Sequence, residues 1–322
     1  MKLEHKFMLV DKVNIHYVES GPQADAKKPQ PTLIFLHGFP EYWGAWSAQL
    51  SYFSTEYRVI APDLPGYNLS DKPTDVSFYT VPNLIAFMAR FIQLISPAQS
   101  VILVAHDWGG AIAWPLAAFH SQLINKLIIL NAAHPSTFTR EMINNPLQRK
   151  KSAYIHQLIS PSGELLLSQD NYHYLSEKIM VSSQANVFTD AIKAQYRQVW
   201  RQQGAINGML QYYRAMPQLA PNDPDNDNPQ AFDDKYLVKT SQIKNTADIN
   251  IPKIRIKLPT LVLWAEQDLA FVNENLDGIE HYVPNCSIIR FPNTSHWLQH
   301  ERPDEVNRAI EVFIHQPILR NS

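Results

Sequence analysis

The feature that most constrains this chain is the stretch from Val101 to Ala113, which reads VILVAHDWGGAIA. Its first five residues are apolar and predict a buried strand, whereas the two glycines after HDW open an apolar segment that predicts a helix. Only HDW is left to join the two, so the turn between strand and helix must be very tight. Such a turn lifts its central side chain, here Asp107, clear of the sheet. The N–H of Trp108 then lies at the helix start, where negative charge is favoured.

This turn has the form of a nucleophile elbow, written G-x-S-x-G in hydrolases, with Asp107 at the position of the serine. An acidic residue there indicates attack by a carboxylate. The alternative interpretation is a helix N-cap, which is the commoner role of an aspartate before a helix. The motif alone leaves both interpretations open, and the rest of the chain has to decide between them.

A second landmark follows the apolar strand predicted at Thr32–Leu36, where the chain continues as HGFP. A glycine and a proline at the carboxyl end of a buried strand predict an abrupt loop, and ligands bind outside such strand ends in open α/β sheets. We expect the N–H of Phe39 to pair with that of Trp108 as an oxyanion hole. A plain turn is the alternative for HGFP.

Strand and helix signals alternate up to about Leu130, which predicts an α/β fold with a mostly parallel central sheet covered by helices on both faces. Helical patterns alone follow, at Glu164–Met180, Asp190–Gln202 and Ala205–Met216. The sheet pattern resumes at Pro259–Ala265. The predicted domains are the first part of the core at 1–138, an inserted helical cap at 139–251 with an acidic surface loop near 221–234, and the second part of the core at 252–322.

Two further polar residues follow predicted core strands. Asp268 comes after the strand at Pro259–Ala265, and His296 comes after the strand at Ser287–Phe291. The chain order of Asp107, Asp268 and His296 is nucleophile, acid, histidine, as in α/β-hydrolases. The spacing of His296 and His300 occurs in some zinc helices, but the glutamate of that motif and a third ligand are missing, so no metal is predicted.

These segments together resemble one family. HGFP, DLPGY, HDWGG, AEQD and SHW are similar to the motifs of epoxide hydrolases of the α/β-hydrolase fold, nearly end to end through the sheet domain. The resemblance implies the α/β-hydrolase fold, Asp107 as nucleophile, and a His296/Asp268 pair that activates water. LQYYRAM resembles the cap segment that bears a ring-opening tyrosine, here Tyr213. Tyr154, in SAYIHQLISPSGE, is the best match for a second such tyrosine.

The chemistry explains these residue types. A carboxylate that opens a strained epoxide forms an ester, tyrosine hydroxyls stabilise the alkoxide, and a neutral histidine activates water to hydrolyse the ester to a vicinal diol. For Tyr213, which shares a helix face with apolar residues, a packed core tyrosine is the alternative. We also expect His37, Pro40, Trp108 and Trp297 to line the substrate pocket. The apolar cap predicts a small apolar epoxide as substrate, with water as the second reactant.

Two other functions stay open. A haloalkane or haloacetate dehalogenase uses the same aspartate nucleophile, and Trp108 is compatible with halide binding. However, Phe39 stands where haloalkane dehalogenases have the asparagine of HGNP, and Trp108 and Ala111 stand where fluoroacetate dehalogenases have arginines. The second alternative is a ligand-binding protein without turnover, which has no need of a hydrolytic histidine.

Composition excludes several other classes. The chain has 28 basic and 30 acidic residues, so no basic surplus indicates nucleic acid. No apolar run reaches membrane-spanning length and the N-terminal stretch is charged, which predicts no membrane association and a cytoplasmic location. A single cysteine excludes an internal disulfide and a thiolate metal cluster. We expect no cofactor, and the sequence makes no prediction of oligomeric state.

Overall fold

The computed structural model describes residues 2–22, 31–184, 187–216 and 250–317. Its eight sheet strands are β1 (Glu4–Val10), β2 (Val13–Ser20), β3 (Leu33–Leu36), β4 (Val59–Pro62), β5 (Val101–His106), β6 (Ile124–Leu130), β7 (Thr260–Ala265) and β8 (Cys286–Phe291). They form one sheet in the order β1-β2-β4-β3-β5-β6-β7-β8. The first two ladders, β1 with β2 and β2 with β4, are antiparallel, and all the others are parallel.

The helices cover this sheet and form a layer above one end of it. They are α1 (Ser47–Phe53), α2 (Val81–Ile95), α3 (Trp108–Phe119), α4 (Pro135–Asn144), α5 (Pro146–Ser152), α6 (Tyr154–Ile159), α7 (Gly163–Tyr174), α8 (Asp190–Trp200), α9 (Ala205–Ala215), α10 (Leu298–Glu301) and α11 (Pro303–His315). Among the described residues, no helix combines the length and the apolar character needed to cross a membrane.

The central strands are apolar throughout because helices cover both faces of the sheet. Strand β3 shows the arrangement: Leu33 and Phe35 pack into the core on one face, whereas Ile34 and Leu36 pack into the core on the other. All four side chains are fully buried. The predicted mostly parallel sheet between two helical layers is confirmed. Its parallel strands end at one edge, where the loops after β3, β5, β6, β7 and β8 meet.

One helix predicted between β6 and β7 differs from the structure. The helix predicted at Glu164–Met180 is wrong, because three successive residues from Asp170 to Tyr172 have φ of 49°, 55° and 64°. Asparagine and aspartate tolerate this left-handed conformation better than most residues. A hydrogen bond of 2.7 Å from Arg201 to Asn171 Oδ1 also holds the turn.

The predicted start of the cap at residue 139 falls inside α4, which begins at Pro135 directly after the loop that follows β6. A proline in the first helical turn is a usual helix start, and it explains why the helix begins before the predicted boundary. The division at 138 and 251 therefore stays a prediction. The acidic loop near 221–234 lies outside the described residues.

Candidate active site

The turn between β5 and α3 has the sharp geometry that the sequence predicts. Asp107 has φ 49° and ψ −119°, a conformation that side chains other than glycine rarely adopt. The turn also crosses the loop after β3 very closely. A Cβ on Gly109 would meet the carbonyl oxygen of Leu36 at 2.4 Å, and a Cβ on Gly38 would meet Cβ of Asp107 at 2.3 Å. Both glycines are therefore needed for the two loops to approach each other.

The two carboxylate oxygens of Asp107 have different surroundings. The backbone N–H of Phe39 donates to Oδ1 at 2.7 Å, while Oδ2 lies 3.7 Å from Nε2 of His296. The Asp107 side chain keeps 11% of its surface exposed. One oxygen is thus held by the backbone, and the other faces the histidine with room for an incoming group. Trp108, whose N–H is the second predicted donor, is the first residue of α3.

The predicted acid and histidine lie against each other. Nδ1 of His296 donates to Oδ2 of Asp268 at 2.8 Å, and Asp268 is almost fully buried. The backbone N–H groups of Ala270 and Phe271 donate to Oδ1 of Asp268 at 2.6 and 3.1 Å. Burial opposes the charge on Asp268, but His296 and hydrogen bonds from Asn131 and the N–H of Ala270 hold its pKa below the usual value. Asp268 therefore fixes the ring orientation of His296 as a carboxylate.

His296 is an unusually basic histidine in this setting. Burial lowers its pKa, but the carboxylates of Asp268, Asp107 and Glu41 outweigh burial and raise the pKa to about 9. Part of this rise comes from Asp107, so His296 will become less basic whenever Asp107 loses its charge. His296, which is protonated while Asp107 is charged, can thus lose its proton and act as a neutral base once that charge is removed.

Both predicted tyrosines lie in the same cavity wall as Asp107. Tyr154 begins α6 and Tyr213 lies in α9, and their ring centroids are 6.2 Å apart. Burial raises the pKa of both hydroxyls, and a hydrogen bond between them lowers the pKa of Tyr154 and raises that of Tyr213. The Tyr213 ring also packs edge-on against Phe39 at 5.2 Å and Trp108 at 5.3 Å. These contacts fix the tyrosine above the predicted oxyanion loop.

A cavity of about 440 Å³ joins these groups. Asp107, Trp108, Tyr154 and Tyr213 lie in its wall, and the remainder is mostly apolar, including Val81, Pro115, Phe138, Ile155, Met216 and Phe271. Within the described residues, Asp107 is the only charged side chain in this wall. The cavity has the volume and apolar character of a site for a small molecule.

Three of the four predicted pocket residues, His37, Pro40 and Trp297, are absent from the described wall of this cavity. His37 is fully buried, and its Nε2 accepts a hydrogen bond of 3.0 Å from the N–H of Leu64. Trp297 packs behind the histidine, with its ring 5.1 Å from that of His296. These side chains are next to motif residues in the chain, but they pack elsewhere in the described structure. Of the four predicted pocket residues, only Trp108 lies in the described wall of the cavity.

Comparison with known proteins identifies the family. A family described as alpha/beta hydrolase fold matches residues 31–303. The chain belongs to the α/β-hydrolase family. This α/β-hydrolase is 30% identical over 321 residues to "Epoxide hydrolase 2" of Caenorhabditis elegans, covering 98% of the chain and 81% of that relative. The resemblance inferred from the sequence motifs is thereby confirmed.

Solved structures give the same result. A Bacillus megaterium epoxide hydrolase in complex with an inhibitor superposes with a TM-score of 0.81 at 30% identity, covering 97% of this chain and all (100%) of that one. An epoxide hydrolase from metagenomes of hot environments reaches 0.82 at 34% identity, covering 98% and 100%. The likeness to epoxide hydrolases thus extends over the core and the helical layer of this α/β-hydrolase.

Sequence reasoning missed Asn131, which follows β6. Its Nδ2 donates to Oδ2 of Asp268 at 2.6 Å, and its Oδ1 accepts from the N–H of Ala265 at 3.0 Å. Asn131 has φ 38°, a left-handed value that asparagine tolerates. Its position at the carboxyl end of the strand beside β7 was the available signal. Asn131 therefore joins the acid to the end of its own strand.

A second missed group lies behind the histidine. Glu41 is fully buried, and its carboxylate lies 3.0 Å from Nδ1 of His106 and 2.7 Å from Nε2 of His300. Nε2 of His106 donates to the carbonyl oxygen of His296 at 2.9 Å. Burial opposes the charge on Glu41, but the two histidines hold its pKa far below the usual value. No spacing in the sequence joins these residues, which come together only in the folded chain.

Proposed function

We propose that this protein hydrolyses apolar epoxides to vicinal diols through a covalent ester on Asp107. One observation carries the proposal. The carboxylate of Asp107 lies between the N–H of Phe39 and the ring of His296, and it shares an apolar cavity with the hydroxyl-bearing rings of Tyr154 and Tyr213. The similarity to epoxide hydrolases supports the same reaction.

Ring opening uses the free oxygen of the nucleophile. Oδ2 of Asp107 attacks an epoxide carbon, a C–O ester bond forms, and the C–O bond of the ring breaks with its electron pair passing to the ring oxygen. Tyr154 or Tyr213 donates a proton to that alkoxide, which is far more basic than a phenol even when burial raises the phenol pKa. Oδ1 stays on the N–H of Phe39 throughout this step.

Ester hydrolysis then requires a base. Asp107 is neutral as an ester, so His296 loses one of the charges that keep it protonated and gives up its proton to solvent or to the tyrosinate left by ring opening. Neutral Nε2 of His296 takes a proton from water, and the water oxygen attacks Cγ of Asp107. The N–H groups of Phe39 and Trp108 stabilise the oxyanion on Oδ1. Collapse breaks the ester bond, and the leaving diol oxygen takes the proton from His296.

The wall of the cavity favours neutral substrates. It has no cationic side chain within the described residues, so a haloacetate carboxylate would lie beside Asp107 without a counter-charge. The side chain of Phe39 packs against Tyr213 and has no donor for a halide ion. Tyr154 and Tyr213 come from the helices between β6 and β7, which supports the assignment of residues 139–251 as a cap.

The test is the intact mass of the His296→Gln variant after separate exposure to styrene oxide, 1-bromobutane and fluoroacetate. Without the base, the ester on Asp107 accumulates. We expect a gain equal to the whole mass of styrene oxide and none from fluoroacetate. The double variant Asp107→Asn, His296→Gln is the matched control and should gain no mass.

Other outcomes would change the proposal. Alkylation by bromobutane together with bromide release, without an adduct from the epoxide, would make the protein a dehalogenase. No adduct from any of the three compounds would refute Asp107 as the nucleophile for these substrates. An adduct that also forms on the double variant would show alkylation at another residue.

A further inference from the structure

A carboxylate lies one helical turn beyond the histidine, and the mechanism above does not use it. Glu301 ends α10 and is only 6% exposed. Among the described residues it accepts five hydrogen bonds: from Ser182 Oγ at 2.5 Å, Ser183 N at 2.8 Å, Ser183 Oγ at 2.6 Å, Ser295 N at 3.0 Å and Ser295 Oγ at 2.5 Å. A carboxylate with this many donors is held in one geometry.

The donors come from two parts of the molecule. Ser295 directly precedes His296, so its two bonds fix the backbone that carries the histidine. Ser182 and Ser183 belong to the helical region between β6 and β7, just before α8. Ser183 Oγ also lies 3.2 Å from the carbonyl oxygen of Asn293, in the same loop as His296. Glu301 is therefore a bridge between the proposed cap and the histidine loop.

We propose that Glu301 is a positioning residue for the hydrolytic step, and that it fixes the position of the His296 loop relative to the cap. The proposal rests on the proposed function, since it concerns the histidine that hydrolyses the ester. Within the described part of the chain, the ring of His296 makes one hydrogen bond, from Nδ1 to Asp268, which fixes Nδ1. The distance from Nε2 to the ester carbon depends on the backbone at Ser295, and this is what Glu301 holds.

The effect should be specific to one step. Ring opening uses Asp107 and the tyrosines, whereas the hydrogen-bond donors to Glu301 described above are all serines. Hydrolysis needs Nε2 of His296 and a water aligned on Cγ of Asp107, and a misplacement of about 1 Å in such a geometry costs up to about 100-fold in rate. A shift of the histidine loop therefore slows hydrolysis more than ring opening, and the ester accumulates.

Replacing Glu301 by glutamine tests this role directly. The N–H of Ser183 donates to Oε1 and the N–H of Ser295 donates to Oε2. In either orientation of a glutamine amide, its NH₂ group therefore faces one of these backbone donors. Glu301→Gln keeps the size of the side chain and forces one of the two backbone segments to move. Burial opposes the charge on Glu301, but the serine donors hold its pKa below the usual value, so the carboxylate is the form being replaced.

The experiment measures the fraction of enzyme present as the ester during turnover of styrene oxide, by acid quench and intact mass. We expect Glu301→Gln to slow ester hydrolysis about tenfold while ring opening changes less than about twofold, so that the ester becomes the main species. Ser295→Ala removes the hydroxyl donor on the histidine side of Glu301, and the double variant Ser182→Ala, Ser183→Ala removes the hydroxyl donors on the cap side. Each should raise the ester fraction less than Glu301→Gln does. Glu305→Gln removes an exposed carboxylate of α11 and is the matched control.

Equal slowing of both steps in Glu301→Gln, or an unchanged ester fraction, would refute the positioning role, because a purely structural role lowers the amount of active enzyme without changing the ratio of the two rates. If Glu301→Gln does not fold, as judged by thermal unfolding, Ser295→Ala decides the same question: an unchanged ester fraction in this variant refutes the role. His296→Gln is measured beside them. If no ester forms in His296→Gln, the proposed function is refuted. If the ester accumulates in His296→Gln, the ratio of the two rates in Glu301→Gln tests the positioning role alone.

Discussion

Replacing Asp107 by asparagine removes one negative charge without changing the size of the side chain, so it measures how strongly that charge acts on His296. Oδ2 of Asp107 lies 3.7 Å from Nε2 of His296. At an effective dielectric constant of about 20, two unit charges at this distance attract each other by about 4.5 kcal/mol. At about 1.36 kcal/mol for each pH unit, this corresponds to about three units as an upper limit, because the cavity admits water.

We therefore expect the pKa of His296 to fall by about one to three units in Asp107→Asn. In the parent protein this pKa is raised to about 9, so the variant should titrate near or below pH 8. The measurement is an NMR titration of the protein with 13C-labelled histidine, with His296→Gln used to assign the signal. Asp277→Asn removes an exposed aspartate from a loop and should leave the titration unchanged.

The same shift predicts a change in stability with pH. A pKa that is raised on folding means that protonated His296 stabilises the folded protein fully below about pH 6.5, and that this contribution is lost as the pH rises through about 9. In Asp107→Asn the loss should occur at lower pH, and this is measurable by urea unfolding across the range. If His296 in the variant still titrates near 9, Asp107 is not what keeps it protonated, and the proposed conversion of His296 to a base on ester formation is refuted.

Four substitutions test other parts of the site. Tyr154→Phe and Tyr213→Phe should each slow ring opening by about 100-fold in stopped-flow tryptophan fluorescence, since each removes a donor to the alkoxide; no effect of either would eliminate that tyrosine. Asn131→Ala removes a bond of 2.6 Å to the buried acid and should slow ester hydrolysis by at least about tenfold, measured by single turnover. Gly38→Ala puts a methyl group 2.3 Å from Cβ of Asp107, so adduct formation should fall by about 100-fold, and an unchanged rate would contradict the close crossing of the loops.

The sequence predicts well that Asp107, Asp268 and His296 lie close together, because each follows a core strand. The residues that follow parallel strands meet at one edge of a sheet, independently of the rest of the chain. The small residues around Asp107 indicate the tight turn. Tyr213 was identified by the resemblance of LQYYRAM to a cap segment, because the phase of its helix places it on the apolar face, where a packed core tyrosine is the alternative. Tyr154 depended on the resemblance alone, and its contact with Tyr213 exists only after the helices pack.

Other features could not be predicted from local patterns. Glu41 and His106 are 65 positions apart in the chain, and a single buried acid has no periodic signal. The left-handed residues from Asp170 to Tyr172 interrupt a helical pattern that their neighbours continue, since the turn is held by Arg201 and by the Tyr172 ring against Trp200 at 5.7 Å. His37 and Trp297 show that nearness to a motif residue in the chain does not by itself place a side chain in the described wall of the cavity.

The contacts of the helical layer show why its sequence should influence catalysis as well as substrate choice. Nε1 of Trp200 donates to the carbonyl oxygen of Pro40 at 2.8 Å, next to the residue whose N–H holds Asp107. The hydroxyl of Tyr212 donates to the carbonyl oxygen of Pro65 at 2.8 Å. With Glu301 joining the histidine loop to the same layer, the layer contacts both the proposed oxyanion loop and the loop of the proposed base. A substitution that tilts α8 or α9 should therefore change the rates of the two proposed chemical steps even where it contacts no substrate. The reason is that contacts with the helical layer, as well as with the sheet, position the groups proposed to perform those steps.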